Sequence, residues 1–235
     1  MNIVITGASR GIGFEIAKQF ASTGNHEIVA ISRNQQGLKA LNDACNKANS
    51  EAHLYPIEFD LASKVSFSEH LTPRIKQHIS SVDILINNAG YLVNKPLLEL
   101  SDADAEQMMN VNFTSAFKLI KATLPFMSKN SHVLNIGSMG GFQGSSKFLG
   151  LSVYSASKAA LACLTECCAE ETKGSGVSFN CLALGAVNTE MLSEAFPGYK
   201  APLSAEEMAK FIVDFAINGN KYFNGKILPV SISTP

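Results

Sequence analysis

No run of apolar residues in this 235-residue sequence approaches the roughly 20 needed to cross a bilayer as a helix, so a membrane protein is not expected. An excess of charge is lacking too. Lys and Arg number 19 against 20 acidic residues, and neither sign gathers into a block that would attract a polyanion or an anionic membrane. Nucleic acid is therefore not an expected partner. The sequence has no C-x-x-C pair, and none of its five cysteines (Cys45, Cys163, Cys167, Cys168 and Cys181) has a histidine at ligand spacing. That excludes the common zinc patterns, and no metal is expected. Reduced structural thiols are the simpler reading, although Cys163 and Cys167 stand four apart in a helical stretch and can share a face, which leaves a redox role open. No Pro/Gly-rich linker, internal repeat or low-complexity tract interrupts the chain. With 46% hydrophobic residues and no break in composition, one domain over residues 1–235 is expected. Asn2 to Thr6 already reads as a strand and leaves no room for an export signal, so the cytoplasm is the expected location.

What the sequence does contain is an alternation. Short Val- and Ile-rich runs take turns with longer stretches of helical period, the pattern of repeated strand–helix units. Strands are predicted near Asn2–Thr6, Glu27–Ser32, Ala52–Phe59, Asp83–Asn87, His132–Ile136, Ser178–Ala183 and Lys226–Val230. Their near-continuous hydrophobicity suits a parallel sheet covered on both faces. Ser101 with Asp104, and Ser204 with Glu207, match the reciprocal capping pattern that starts a helix. The stretch from Gly137 to Gly150 carries five glycines and is expected to be an irregular loop. The predicted fold class is α/β: a single-domain, doubly wound Rossmann arrangement of about seven parallel strands with helices on both faces.

Directly after the first strand comes Thr6-Gly7-Ala8-Ser9-Arg10-Gly11-Ile12-Gly13, followed by an amphipathic stretch. Glycines at a strand-to-helix turn allow a tight bend and let backbone N–H groups approach a pyrophosphate, to which the helix N-terminus adds partial positive charge. A glycine-rich turn without a ligand is the plain alternative. The spacing G-x-x-x-G-x-G resembles that of the short-chain dehydrogenase/reductase family, not the G-x-G-x-x-G of the general dinucleotide fold. Further marks of that family follow in order. Asn87-Asn88-Ala89-Gly90 closes the fourth strand, Asn112 lies in the next helix, Ser138 ends the fifth strand, and Tyr154-Ser155-Ala156-Ser157-Lys158 opens the helix after it. The resemblance runs from Ile3 to about Thr189 and is similar to that of 3-oxoacyl reductase-like members.

The resemblance implies a nicotinamide cofactor held by Gly7, Ser9, Arg10, Gly11, Ile12 and Gly13, by Asn88, Ala89 and Gly90, and by Tyr154 and Lys158. Asp60-Leu61 resembles the pair that touches the adenine, though Asp60 alone would serve as a helix cap. Which nicotinamide cofactor is expected follows from charge. An NAD site places a carboxylate about 20 positions past the glycine turn to accept from the ribose hydroxyls; here that place reads Ser32-Arg33. A guanidinium there suits a 2′-phosphate, and Arg10 looks like the family's second basic contact. NADP(H) is expected in preference to NAD(H), unless both arginines are merely solvated.

Carbonyl reduction needs a hydride, a proton for the oxygen, and donors that hold that oxygen while charge develops. Tyr154 is the candidate proton donor, but a phenol with a pKa of about 10 is a poor acid or base at neutral pH. Lys158, four residues on, lies on the same helical face, and its positive charge favours the phenolate. Ser138 at a strand's carboxyl end can donate to the substrate oxygen, and Asn112 resembles the family residue that positions a water beside the lysine. Singly, each has a plainer reading as an anchoring aromatic, a turn serine or an exposed helical asparagine. Together they imply a carbonyl–alcohol oxidoreductase, the alternative being a catalytically silent NADP(H)-binding regulator of the same fold.

Past the sixth strand, Gly185 to Thr189 looks like the segment that covers the nicotinamide, with Val187 and Thr189 reaching its carboxamide. Three departures from the family stand out: Leu184 where proline is usual, a longer interval from Ser138 to Tyr154, and a C-terminus reading Ser231-Ile232-Ser233-Thr234-Pro235. Met191, Leu192, Phe196 and Tyr199 suit a moderately hydrophobic small carbonyl or alcohol substrate, or equally plain lid packing. A 3-oxoacyl thioester and a general ketone or aldehyde both remain open. Stretches 104–127 and 154–172 are apolar around more than one face, as expected where a homodimer or homotetramer forms; a thick monomer core is the alternative.

Overall fold

The computed structural model describes residues 1–232. The apolar runs become seven parallel strands of one sheet. They are β1 (Asn2–Thr6), β2 (Glu27–Ser32), β3 (His53–Glu58), β4 (Val82–Asn87), β5 (Met127–Ser138), β6 (Ser178–Leu184) and, after a two-residue pair β7 (Val187–Asn188) and β8 (Leu203–Ser204), β9 (Lys226–Val230). The order across the main sheet is β3-β2-β1-β4-β5-β6-β9. Chain direction therefore reverses its sense of progression between β1 and β4, and open α/β sheets bind ligands in the crevice at such a point, beyond the strands' carboxyl ends.

Side chains alternate across the sheet because strand geometry has period two. Ile3, Ile5, Ile84, Ile86, Leu134 and Leu182 point to one face, where they meet Ile16 and Phe20 of α1 (Gly11–Thr23), Leu38 and Leu41 of α2 (Gln35–Ala48), and Ile212 of the last helix. Val4, Leu85, Val133 and Phe179 point to the other. They meet Phe67 of α3 (Phe67–His70), Ile75 of α4 (Thr72–Lys76), and Leu119 and Ile120 of α6, which continues α5 (Asp102–Met109) through a π-helical turn at Asn110–Thr114 and runs over Ser115–Thr123. The long α7 (Ser152–Glu171) lies on this second face with Ala169 buried, α8 (Glu190–Ala195) crosses the carboxyl edge, and α9 (Ala205–Asn218) completes the first face. No helix among the described residues is long and apolar enough to cross a membrane.

Both expected capping boxes are present, Ser101 with Asp104 at the start of α5 and Ser204 with Glu207 at the start of α9. β5 begins five residues before the predicted His132, because Met127 already pairs with Val82 and the polar Ser-Lys-Asn-Ser that follows is an irregularity in the ladder, where sequence patterning carries no signal. Residues 139–151 form a short 3-10 turn and then irregular chain, as the glycines suggest.

A polar relay runs through the apolar second face and ties the sheet to α7. Asn87 Nδ2 donates to Asn135 Oδ1 at 2.8 Å, Asn135 Nδ2 to Thr165 Oγ1 at 2.9 Å, and Thr165 Oγ1 to the Leu161 carbonyl at 2.9 Å. All three side chains are buried, so each bond is costly to leave unmade. The relay fixes α7 against β4 and β5 at one axial height, and α7 carries the candidate residues Tyr154 and Lys158.

Candidate active site

At the carboxyl edge of β1 the glycine turn is locked to the chain leaving β4. Thr6 Oγ1 accepts from the backbone N–H of Asn88 and of Ala89, both at 3.1 Å, while Asn88 Nδ2 donates back to the Thr6 and Gly7 carbonyls at 3.0 and 3.3 Å. Gly7 has φ +68° and Gly11 φ +58°, the left-handed region that favours glycine. A Cβ at Gly7 would stand 2.8 Å from the Ala89 Cα, and one at Gly13 would overlap both Asn88 Nδ2 and the Gly7 carbonyl. No acidic residue occupies the first turn of α1, and its N-cap residue Arg10 makes no side-chain cap. The N–H groups and helix dipole of this turn thus have no capping side chain from α1 itself, which fits a pyrophosphate.

Beside this turn Ser32 Oγ donates to Ser9 Oγ at 2.8 Å, and Asn34 caps α2 by accepting from Gly37 N at 3.0 Å. Arg33 is exposed and lines the same cleft. Arg10 reaches the other way, to Glu194 of α8 at 2.7 Å. Asp60 and Leu61 line the cleft's far end; Asp60 accepts from Ala62 N at 3.0 Å in a local turn, and since the next helix starts only at Phe67 the helix-cap alternative does not hold.

The opposite end of the cleft is built by β5 and α7. Tyr154 is half-buried and Lys158 is 4% exposed. Lys158 Nζ donates to the Ile136 carbonyl at 2.8 Å, and burial lowers its pKa from 10.5 to about 8. Burial raises the Tyr154 phenol, and a hydrogen bond with Ser138 opposes that rise. Ser138 Oγ also accepts from Gly140 N at 3.2 Å, which aims the hydroxyl. Asn112 sits in the π-helical turn, where the extra residue per turn directs its side chain inward. Its Oδ1 accepts from Tyr91 N at 2.7 Å, and its Nδ2 donates to the Tyr91 carbonyl and to Ser157 Oγ, both at 2.9 Å. Gly90 lies between the two groups: a Cβ there would stand 3.7 Å from both Asn112 Oδ1 and Lys158 Nζ.

One cleft of about 780 Å³ joins these two ends. It brings together Gly7, Ser9, Arg10, Gly11, Ile12, Arg33, Asp60, Leu61, Asn88, Ala89, Gly90, Ser138, Tyr154, Lys158, Val187 and Thr189. Gly13 and Asn112 stand behind its wall as supports.

The short chain dehydrogenase family model matches residues 1–200. The chain belongs to the short-chain dehydrogenase family. Among curated relatives, a fatty acyl-CoA reductase of Acinetobacter baylyi is 33% identical over 215 residues, which is 89% of this chain and 70% of that protein. A 3-oxoacyl-[acyl-carrier-protein] reductase of Aquifex aeolicus is 30% identical over 240 residues, covering 97% and 94% of the two chains. Among solved structures, a Serratia marcescens short-chain dehydrogenase/reductase superposes with a TM-score of 0.86 at 26% identity, covering 97% of this chain and 95% of its own. Short-chain dehydrogenases are oxidoreductases that act on a carbonyl or alcohol with a nicotinamide cofactor.

In this short-chain dehydrogenase the departures noted in the sequence have local explanations. Leu184 ends β6 as a buried core residue paired with Val230 of β9, and Gly185 N continues the ladder to the Val230 carbonyl at 2.9 Å. A Cβ at Gly185 would collide with Ser231, so glycine is required there by the C-terminal strand. Ser231 itself reaches the cleft, while Ser233, Thr234 and Pro235 lie outside the described residues. Val187 is held by pairing with Leu203, and Thr189 Oγ1 caps α8 by accepting from Leu192 N at 3.2 Å. The longer loop before α7 sends Phe148 and Leu151 into the cleft wall.

Sequence reasoning missed several lining residues, among them Ser32, Phe59, Tyr91, Met139 and Glu190. Tyr91 had a signal available, since it follows Gly90 at the carboxyl end of β4, where parallel sheets gather their sites. Glu190 had none, because its place depends on where α8 lies.

Proposed function

We propose that this short-chain dehydrogenase is an NADP(H)-dependent carbonyl–alcohol oxidoreductase, in which Ser138, Tyr154 and Lys158 act on the substrate oxygen and Asn112 supports them. The observation that carries the reading is convergence: the phenol of Tyr154, the hydroxyl of Ser138 and the buried ammonium of Lys158 line one cleft with an uncapped, glycine-walled helix N-terminus. Arg33 at the cleft's ribose end, and Arg10 of the glycine turn once released from Glu194, support NADP(H), since no carboxylate stands at the end of β2 to accept from a 2′-hydroxyl. When bound, the nicotinamide supplies or accepts the hydride. Tyr154 exchanges the proton with the substrate oxygen, Ser138 donates a hydrogen bond to that oxygen, and the Lys158 ammonium stabilises the phenolate. Asn112 holds the Tyr91 backbone and so keeps the wall beside Lys158 in place. Residues 1–235 are read as one unit that both binds cofactor and performs the chemistry.

Met191, Leu192 and Phe196 form an apolar wall to the substrate end. With acyl-thioester reductases among the relatives, a 3-oxoacyl thioester or a similarly apolar ketone or aldehyde is the substrate class we favour. The test is NADPH oxidation with a panel of 3-oxoacyl thioesters, diketones and aldehydes, run beside fluorescence titration with NADPH and NADH. Turnover on at least one apolar member and tighter binding of NADPH are expected. Binding without turnover of any member would instead mark a silent regulator, and equal affinity for both cofactors would remove the phosphate reading.

A homodimer or homotetramer is also proposed, supported by exposed apolar groups on adjacent helices, Phe117 of α6 and Ala156, Ala159 and Cys163 of α7. Sedimentation at micromolar concentration is expected to give a species larger than 25.1 kDa; a monomer alone would contradict it.

A further inference from the structure

Helix α8 spans the mouth of the cleft and is tied to both walls. On one side Arg10 of the glycine turn bonds Glu194 at 2.7 Å. On the other, Asn94 Nδ2, in the chain after β4, donates to the Ala195 carbonyl at 2.8 Å. A second carboxylate of the same helix, Glu190, stands against the glycine turn, its Oε2 3.5 Å from where a Cβ on Gly11 would be. One carboxylate of α8 therefore stands beside an anion-binding cradle, and another occupies a guanidinium that an anion would use.

We infer that Glu194 is a determinant of cofactor selectivity and release, because its carboxylate competes with the cofactor's 2′-phosphate for Arg10. This inference rests on the NADP(H) reading above. Both partners are more than half exposed, at 51% and 64%, and exposed pairs of this kind are weak and exchangeable. A phosphate carries more charge than a carboxylate and binds a guanidinium through two parallel bonds, so it displaces Glu194 while still working against it. The competition loosens NADPH and leaves NADH, which has no group for Arg10 to meet at that position, almost untouched. Glu190, placed beside the pyrophosphate cradle common to both cofactors, weakens the two alike. It also follows that Arg10 loses the α8 tie when phosphate takes it, so that α8 is freed on the cofactor side while Asn94 still holds its far end.

The experiment is a double-mutant cycle on the full chain at low ionic strength, with dissociation constants for NADPH and NADH measured by fluorescence titration. Glu194→Gln is expected to tighten NADPH by about threefold, in line with the worth of an exposed ion pair, with NADH changed little. NADP⁺ dissociation in stopped flow is expected to slow by a similar factor, since affinity changes within one site fall mostly on the off-rate. In an Arg10→Ala background the same substitution is expected to have no effect. Equal tightening of both cofactors, or an effect that persists without Arg10, overturns the inference. So does a silent Glu194→Gln in a protein that prefers NADPH and loses that preference with Arg10→Ala; in that case the NADP(H) reading survives. If the wild type binds both cofactors alike and Arg10→Ala weakens neither, both readings fall together.

Discussion

Replacing Tyr154 by phenylalanine is expected to lower kcat by about 10²- to 10⁴-fold, the usual contribution of a positioned general acid or base, while NADPH affinity stays within about twofold. The reason lies in two opposed shifts. Burial alone raises the phenol's pKa, with Ser138 only partly opposing it, so Tyr154 by itself is protonated at neutral pH and reluctant to give that proton up. Proton transfer to a carbonyl oxygen requires its anion to be stabilised, and Lys158, one helical turn along on α7, is the cation we propose for this. Lys158 has a pKa lowered to about 8, and it is useful only while charged. The rate of carbonyl reduction should therefore hold steady below about pH 7 and fall as pH rises through the lysine's pKa. In Tyr154→Phe the residual rate should lose this dependence, because no phenolate remains to be stabilised. Steady-state kinetics across pH 6 to about 9.5 check both statements. A phenylalanine variant with near-normal turnover would show that the proton comes from another group.

Much of this site was legible because it rests on local chemistry. Gly7, Gly11 and Gly13 are marked by the tightness of their turn, while Asn88, Ser138, Tyr154 and Lys158 are marked by the family resemblance, with which the helical spacing of the last two and the strand-end position of Ser138 agree. Each can be read from a window of a few residues, and so could the capping boxes at Ser101 and Ser204. What escaped depends on distant partners. The π-helical turn around Asn112 is paired with the backbone of Tyr91, 21 residues away, and helical periodicity does not register one extra residue held by a tertiary contact. The β7–β8 pair is two residues long on each side, shorter than any alternation that could announce it. Glu194 meets Arg10 across 184 residues, and nothing in its own neighbourhood distinguishes it from a solvated helix charge. The α/β class and strand positions were recoverable for the converse reason, since Val- and Ile-rich runs buried on two faces leave a signal within each strand. The residue that most constrains the proposed chemistry, however, also carries a thermodynamic cost that no motif reveals.

That residue is Lys158. A fall in pKa from 10.5 to about 8 means that folding disfavours its ammonium by about 3 kcal/mol, with desolvation the principal cause and the thiol of Cys181 a minor opposing influence. The sign is fixed by linkage. Between about pH 8 and 10.5 the unfolded lysine holds its proton and the folded one does not, so the unfolded state binds more protons and stability rises with pH. Below about pH 8 both states are protonated and the full penalty is present. Lys158→Met removes the ammonium at similar length. It should abolish turnover, and its stability relative to wild type should be most favourable below pH 8, that relative advantage shrinking by about 3 kcal/mol by pH 10.5. Loss of the bond to the Ile136 carbonyl costs the variant about 1–3 kcal/mol, but this offset does not depend on pH and leaves the slope intact. Denaturant unfolding of the cofactor-free pair of proteins across that range measures the difference directly; titration of the buried Cys45 cancels because both proteins carry it, and Cys181, which burial pushes up to about 12 against the influence of Lys158, stays protonated in both folded proteins up to about pH 10.5. Parallel stability curves would mean that Lys158 is not desolvated in solution, and the lowered pKa that sets the expected pH–rate profile would go with it. A slope of the expected sign would show instead that α7 keeps its ammonium buried against the protein's own stability.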